Sequence, residues 1–286
     1  MSSHGPHRRT TIHDLAALRA AGERFVMVTA YDANAAGLLD ELDVPVILVG
    51  DSLGMVVLGH ETTLPVTLDD MIHHARAVMR ARPRALVVVD LPFGSYQQGP
   101  EQALASAVRV IKESGADAVK LEGGARVVPT VRALVAAGIP VMGHLGLTPQ
   151  SVGQLGGFRV QGRDPDDAAA LVDDARALGD AGAFATVLEC IPAGLAARVT
   201  AASPVPTIGI GAGADVDGQV LVWHDLLGLG PGPDPRFVRR YAQLRTSIIA
   251  AVTTFRDDVA SGTFPAPEET YGDGPAVDDA PGAPSA

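Results

Sequence analysis

The sequence predicts an α/β protein whose parallel strands close into a (β/α)8 barrel, the TIM-barrel architecture. Short, almost continuously apolar runs alternate with helical segments, seven times clearly and an eighth time less clearly. Apolar strands of this kind are buried on both faces, which is typical of a parallel sheet covered by helices. Eight such units over roughly 240 residues fit a closed barrel.

An open, doubly wound sheet is the alternative to a closed barrel. Such a sheet usually has a glycine-rich turn after its first strand, and here the first strand is followed by Tyr31 and Asp32. A later run, TIGIGAG at 207–213, lacks the full spacing of a dinucleotide-binding loop. It either approaches a ligand closely or makes a tight turn.

The pattern begins with a helix near Thr10. Thr11 is a candidate N-cap, Asp14 approximates a capping box, and Gly22 ends the helix. Strands are then predicted at 25–30, 45–50, 85–91, 118–123, 140–146, 184–190 and 206–213, with an eighth at 219–226. Helices are predicted at 33–43, 68–81, 100–115, 128–138, 164–182 and 193–203, and a last helix at 235–262 closes the domain.

One domain, residues 10–263, accounts for this pattern. Residues 1–9 are polar and basic, and residues 264–286 are rich in proline, glycine and acid. Neither stretch can bury enough apolar area to order itself, so we expect disorder in the first and in most of the second. The connection between Gly146 and Asp164 has no clear periodicity, and its glycines would permit closure over a site.

Composition excludes several classes of function. The 286 residues carry a net charge of −11, which argues against binding to nucleic acid or to an anionic membrane. No apolar run approaches the length of a membrane span. Cys190 is the single cysteine, so no intrachain disulfide can form, and it is interpreted as a small apolar residue and not as a nucleophile. These features predict a soluble, cytoplasmic protein.

Polar side chains end the predicted strands, where barrel enzymes have their active sites. They are Asp51, Ser52, Asp90, Lys120, Glu122, His144 and Glu189. Each has a structural alternative: a turn or cap for the aspartates, a lone ion pair for Glu122, a core position for His144. A carboxylate at the end of an apolar strand, as at Glu189, is harder to explain by stability. The structural alternatives would also have to hold together for all these residues at one face, which favours a functional site.

The charges at this face predict a divalent cation. Lys120 is one of two lysines among 22 Lys and Arg residues, and lysine is a compact point charge where arginine is a rigid fork. Carboxylates of Asp51, Asp90 and Glu122 on three adjacent strands would repel one another. A bound Mg²⁺ would offset this repulsion, because it prefers oxygen ligands and takes water and substrate where the protein supplies too few. Mn²⁺ would also fit.

A metal and a lysine together can hold a 2-oxo acid. The metal would stabilise an enolate as a Lewis acid, and a carboxylate across the site, best Glu189, would remove the proton α to the carbonyl. Attack of the enolate on an electrophile would form a C–C bond. The residues do not name the electrophile.

Seven stretches of the sequence resemble the 3-methyl-2-oxobutanoate hydroxymethyltransferase (ketopantoate hydroxymethyltransferase) family. They are MVTAYDANAAGLLD (27–40), VGDSLGMVVLGHETTLPVTLDDMIHHARAV (49–78), VVVDLPFGSY (87–96), AVKLEGG (118–124), PVMGHLGLTPQS (140–151), VLECIP (187–192) and PTIGIGAG (206–213). Because they follow family order over nearly the whole domain, the match is specific.

The resemblance implies a barrel of the phosphoenolpyruvate/pyruvate type. It implies transfer of a hydroxymethyl group from 5,10-methylenetetrahydrofolate to 3-methyl-2-oxobutanoate, giving 2-dehydropantoate on the way to pantothenate and coenzyme A. The family's Mg²⁺ ligands map onto Asp51, Asp90 and Glu122, its proton acceptor onto Glu189, and its substrate contacts onto Asp51, Ser52, Asp90 and Lys120, with His144 nearby. Members form homo-oligomers, commonly decamers of two stacked pentamers.

Two rivals remain at this stage. A C–C lyase of the isocitrate-lyase type would run the same Mg²⁺–enolate chemistry backward, but no Lys-Lys-Cys-Gly-His-like loop is present. A catalytically dead barrel that serves as a scaffold would have no reason to keep the complete set of charged residues.

Overall fold

The protein is a closed eight-stranded parallel barrel, as the sequence predicts. The computed structural model describes residues 8–232 and 234–271. The strands are β1 (Phe25–Thr29), β2 (Val46–Val49), β3 (Leu86–Asp90), β4 (Ala118–Glu122), β5 (Val141–Gly146), β6 (Ala185–Glu189), β7 (Thr207–Ile210) and β8 (Gly218–Leu221). Pairing of β8 with β1 closes the barrel. This topology excludes the open-sheet alternative.

The helices of the described residues follow the predicted order with some additions. They are α1 (Ile12–Ala21), α2 (Ala33–Glu41), α3 (Leu53–Val56), α4 (Leu68–Arg80), α5 (Pro100–Ser114), α6 (Val128–Ala136), α7 (Val152–Leu155), α8 (Pro165–Asp180), α9 (Ala193–Ala202), α10 (Trp223–Leu227) and α11 (Leu244–Ser261). None of them is long and apolar enough to cross a membrane. The expectations for residues 1–7 and 272–286 lie outside the described residues, and the domain limits at 10 and 263 stay a prediction.

Local signals in the sequence set the helix ends. The backbone N–H of Thr11 donates to the Asp14 carboxylate at 2.8 Å, and Gly22 ends α1 with a left-handed φ of 70°. Pro100 opens α5, where its missing N–H costs nothing, and Gly115 ends it with a φ of 80°. The predicted boundaries of these helices are therefore accurate to within two residues.

Side-chain alternation along the strands divides the core into two layers. Leu86 and Val88 of β3 point into the barrel, whereas Val87 and Val89 pack under the outer helices. The same period of two along β4 puts Ala118 inside and Val119 outside. The same alternation, continued along these two strands, directs Asp90, Lys120 and Glu122 into the barrel mouth.

Helix α1 closes the opposite end of the barrel. Leu15 is fully buried there and packs in the inner core with Phe25 and Met27 of β1. The barrel is therefore filled from its N-terminal end, and the C-terminal end of the strands is left for the site.

The C-terminal part of the chain differs from the prediction. The eighth strand ends at Leu221, and α10 replaces the rest of the run predicted as strand. The last helix begins at Leu244 and not at 235, because the preceding segment turns back: Arg240 forms a salt bridge with Asp234, and the N–H of Tyr241 donates to Leu226 O at 2.8 Å.

Helix α11 does not close the domain as expected. None of its residues is buried. Its apolar residues form a helical stripe that is about half exposed or more: Ile248, Val252, Phe255 and Val259. The predicted packing of this helix onto its own barrel is therefore wrong.

The glycine-rich run at 207–213 makes a tight turn between β7 and β8. Gly211 and Gly213 both have positive φ angles. A side chain at Gly211 would meet the ring of Phe237, and one at Gly213 would meet Ala193. Protein atoms, and not an open ligand space, thus lie against these two glycines.

Candidate active site

The strand register brings the predicted residues together at the barrel mouth. Asp90 of β3 lies beside Lys120 of β4, and Glu122 of β4 lies beside His144 of β5. Glu189 of β6 is the register partner of Gly146 at the end of β5. Parallel pairing places all strand ends at the same edge, so neighbours in the barrel become neighbours in the site.

A buried ion pair lies at the centre of the mouth. The Lys120 Nζ is 3.0 Å from Asp90 Oδ1, and both side chains are buried. Burial disfavours the ammonium, but the negative charges of Asp90 and Glu122 outweigh this effect and raise the pKa of Lys120. The lysine is therefore a fixed positive charge inside the barrel.

His144 bridges two glutamates. Its Nδ1 lies 3.3 Å from Glu122 Oε1, and its Nε2 lies 3.1 Å from Glu189 Oε2. Burial and the ammonium of Lys120, 3.3 Å from Nδ1, lower the pKa of His144, but the contacts with Glu122 and Glu189 outweigh both and raise it to about 9. The imidazole thus lies between two carboxylates that favour its charged form.

Glu189 is the most accessible of these acids. Its side chain is 17% exposed, against 2% for Glu122. A base that must reach a bound ligand has to lie at the open edge of the site, and Glu189 is the carboxylate that does so.

Asp51 and Ser52 follow β2 on the other side of the ion pair. The backbone N–H of Asp51 donates to Asp90 Oδ2 at 3.0 Å. Burial, and then the charges of Asp90 and Glu122, raise the pKa of Asp51 to about 8. The hydroxyl of Ser52 is 2.9 Å from that of Tyr31 at the end of β1.

We call Asp51, Asp90 and Glu122 the carboxylate cluster, and its chemistry fits a hard divalent cation. Asp90 Oδ1 is buried, and its charged partner is the Lys120 ammonium at 3.0 Å. The pKa of Asp51 is raised by burial first and then by the charges of Asp90 and Glu122. Among the described residues, no group of three or more His, Cys, Asp or Glu side chains is arranged so that it could hold a metal ion. Mg²⁺ matches this arrangement, since it usually takes one or two carboxylates and completes its shell with water and substrate.

Sequence reasoning missed Gln150 and Tyr96. Gln150 is buried, and its amide donates to Asp51 Oδ2 at 2.8 Å. The hydroxyl of Tyr96 donates to Gln150 Oε1 at 2.7 Å and accepts the backbone N–H of Glu122 at 3.1 Å. Both residues lie inside the motifs that match the family, but no local pattern marks a loop glutamine or tyrosine as buried.

The remaining candidates occupy structural positions. Cys190 is half-buried. Burial, followed by the charge of Glu189, raises the pKa of its thiol to about 12. The thiolate is therefore scarce at neutral pH, in agreement with the interpretation of Cys190 as a small apolar residue.

A cavity of about 780 Å³ lies at the N-terminal end of the barrel, bordered by Arg8, Phe25 and Arg84. It contains none of the site residues.

Gly146 is expected to tolerate no side chain. Its φ is 89°, and a Cβ there would overlap the backbone oxygen of Glu189 and lie 2.8 Å from Ile191 Cγ2. We expect Gly146→Ala to lower the free energy of unfolding by more than about 2 kcal/mol, because backbone strain of about 1–3 kcal/mol adds to this overlap. Chemical denaturation measures the change. Gly153→Ala is the control, since open space surrounds that position, and equal stability of the two variants would contradict the prediction.

The fold and the residues at its mouth define the class of protein first: a closed (β/α)8 barrel with buried charged side chains at the C-terminal ends of its strands. One solved structure, 2,3-dimethylmalate lyase, described as a PEP mutase/isocitrate lyase superfamily member, has a TM-score of 0.58 and 18% identity, covering 92% of this chain and 93% of that chain. Phosphonopyruvate hydrolase in complex with oxalate and Mg++ has a TM-score of 0.59 and 14% identity, covering 91% and 93%. At these identities the likeness shows the fold.

The chain belongs to the ketopantoate hydroxymethyltransferase family, whose model matches residues 9–267. A 3-methyl-2-oxobutanoate hydroxymethyltransferase of Moorella thermoacetica is 61% identical, over 92% of this chain and 98% of that protein. The protein of the same name from Thermobifida fusca is 58% identical, over 95% and 100%. The family assignment predicted from the seven stretches is therefore confirmed, and the protein is an enzyme of this family.

Proposed function

We propose that the enzyme transfers a hydroxymethyl group from 5,10-methylenetetrahydrofolate to 3-methyl-2-oxobutanoate, giving 2-dehydropantoate in the pathway to pantothenate. The names of the relatives support the acceptor. The observation that supports the chemistry is the position of Glu189, an accessible carboxylate held by His144 beside a buried lysine and three buried acids. This arrangement suits removal of a proton from a bound 2-oxo acid.

In this proposal each residue of the site has a separate role. Lys120 supplies a positive charge for the 2-oxo acid, and the hydroxyl of Ser52 is available for a further hydrogen bond. Glu189 accepts the C3 proton of the acid, and His144 holds Glu189 in place through Nε2. The electron pair left at C3 forms the new bond to the one-carbon unit of the donor. Both bonds from that carbon to the folate nitrogens break, and water supplies the hydroxyl. The proton from C3 and the remaining proton of the water end on the two folate nitrogens.

Asp51, Asp90 and Glu122 would hold Mg²⁺, with Mn²⁺ as a substitute. The bound cation would supply Lewis-acid stabilisation of the negative charge that develops on the 2-oxo acid. The support is the burial of three carboxylates at one mouth and the raised pKa of Asp51, which burial and then the charges of Asp90 and Glu122 produce.

Deuterium exchange tests the proposed reaction directly. The C3 proton of 3-methyl-2-oxobutanoate is followed by NMR in D2O, with and without Mg²⁺ and without folate. We expect exchange that requires both enzyme and Mg²⁺. A scaffold protein would show no exchange, even after tetrahydrofolate is added, and that result would overturn the proposal. Exchange without formation of 2-dehydropantoate from the folate donor would favour a C–C lyase of the isocitrate-lyase type.

Mg²⁺ binding is expected to strengthen as pH rises. Without metal, the raised pKa of about 8 keeps Asp51 protonated below that pH, and a cation must displace this proton to bind the carboxylate. The apparent affinity should therefore increase by up to about tenfold per pH unit below pH 8 and level off above it. Isothermal titration calorimetry at pH 6.5, 7.5 and 8.5 measures the trend, and equal affinities at the three pH values would contradict a proton on Asp51 that the cation must displace.

We also propose that the enzyme is a homo-oligomer, with the decamer as the expected form, and that it acts in the cytoplasm. The apolar stripe of α11 is left open by the described residues of the chain. The outer face of the barrel at β1 and β8 is likewise open, with Val26 49% exposed, because the β7–β8 connection contains no helix in the described residues. An unburied helix and an uncovered barrel face in one chain support pairing between two copies.

Val252→Asp is expected to weaken this assembly. Val252 is 60% exposed in the middle of the α11 stripe, where a charge would have to be desolvated at an interface. Analytical ultracentrifugation should show smaller species than for wild type. Thr253→Asp, the next exposed position on α11, is the control. A monomeric wild-type protein would contradict the proposal.

A further inference from the structure

Gln150 has an unusual position for a loop glutamine. It lies in a short 3₁₀ turn, Pro149–Ser151, that follows β5, and it is only 5% exposed. Both its side chain and its backbone amide point at the carboxylate cluster. The side-chain Nε2 donates to Asp51 Oδ2 at 2.8 Å, and the backbone N–H donates to Glu122 Oε2 at 3.1 Å.

A chain of hydrogen bonds fixes which end of the Gln150 amide faces the cluster. The backbone N–H groups of Gly94 and Tyr96 point at Gln97 Oε1, at 2.8 and 3.3 Å. Gln97 must therefore present its NH2 group to Gln150 Oε1, at 3.2 Å. The hydroxyl of Tyr96 donates to the same oxygen at 2.7 Å, so Gln150 Oε1 has two donors and cannot be the end that faces Asp51.

Both protons of the Gln150 Nε2 group are then in hydrogen bonds. One Nε2 proton goes to Leu91 O at 2.9 Å and the other to Asp51 Oδ2. Because Gln150 is neutral, it restrains two acids without cancelling their charge. An arginine or lysine at the same place would neutralise a carboxylate that a cation needs.

We propose that Gln150 is a positioning residue that holds the carboxylates of Asp51 and Glu122 in the orientation that receives a divalent cation and its bound 2-oxo acid. Gln97 and Tyr96 act through it by fixing its amide. The inference rests on the proposed function. It assigns to the β5 loop a role in metal affinity, and it makes Gln150 distinct from the groups that touch the reacting atoms.

Gln150→Met tests this role, because methionine keeps the length of the side chain and removes both donors and the acceptor. Mg²⁺ affinity is measured by isothermal titration calorimetry without substrate. We expect a loss of about 10–100-fold, the range for partners that orient metal ligands, and recovery of much of the kcat at saturating Mg²⁺. Gln154→Met is the control, since Gln154 is exposed in the same loop. It should bind Mg²⁺ as wild type does.

Gln97→Met provides a second variant that leaves the buried residues unchanged, because Gln97 is exposed. It should weaken Mg²⁺ binding less than Gln150→Met does. Wild-type affinity in both folded variants would overturn the inference while the proposed function stands. A wild-type enzyme that binds no Mg²⁺ would instead remove the metal from the proposed function. Low kcat in Gln150→Met that Mg²⁺ does not restore would mean a structural role only, and would also overturn the inference.

Discussion

Replacement of Glu189 by glutamine is expected to lower kcat by about 10²-fold or more, the usual range for a general base, and to leave binding of the 2-oxo acid near normal. The amide keeps the size of the side chain but cannot accept the C3 proton. Glu189 is also outside the carboxylate cluster, so the charge available to a cation is unchanged. Steady-state kinetics and the rate of C3 exchange should fall together, because both depend on the same proton removal.

Glu101→Gln, at an exposed position in the first turn of α5, is the matched control and should behave as wild type. Two results would contradict the assignment of Glu189 as the base. Turnover that survives in Glu189→Gln would mean that another group is the base. Loss of Mg²⁺ or substrate binding in that variant would mean that Glu189 is a ligand.

Removal of Lys120 is expected to have the largest effect on stability. Its ammonium is 3.0 Å from Asp90, and the two other members of the carboxylate cluster also raise its pKa. Lys120→Met leaves buried acids without their fixed positive charge, and breaking a buried pair in this way costs about 3–5 kcal/mol. Denaturation in guanidinium should show this loss, and affinity for 3-methyl-2-oxobutanoate should fall with it.

Lys112→Met is the natural control, because Lys112 is the second of the two lysines and is exposed on α5. Its stability should match wild type within about 0.5 kcal/mol, as for most surface substitutions. Wild-type stability of Lys120→Met would show that the acids take up protons at no cost. Unchanged substrate affinity would remove Lys120 from the binding site.

The positions of the charged residues at the strand ends could be predicted from sequence patterns. Apolar runs locate β3 and β4, and the alternation of side chains along a strand directs Asp90, Lys120 and Glu122 to the inside. Closure of the barrel then follows from the number of strand–helix units, and the closed topology makes β4 and β5 neighbours. The seven predicted site residues therefore lie at one mouth, although their roles stay predictions.

Two features escaped the same reasoning for different reasons. The helical periodicity of 235–262 indicated a helix but contained no information on what covers it, so the exposure of α11 and its start at Leu244 were missed. Gln150 was missed because burial of a loop residue depends on its neighbours in space. Its partners Tyr96 and Asp51 are 54 and 99 residues away along the chain.

Sequence alone therefore defines the barrel, the identity of the charged residues at its mouth, and the family, because these depend on local periodicity and on motifs of adjacent residues. Tertiary structure decides which carboxylate is accessible, which one pairs with Lys120, and which amide orients Asp51. The physical reason is that exposure, charge state and hydrogen-bond direction are set by contacts between strands and loops distant in sequence, and no periodicity along the chain encodes such contacts.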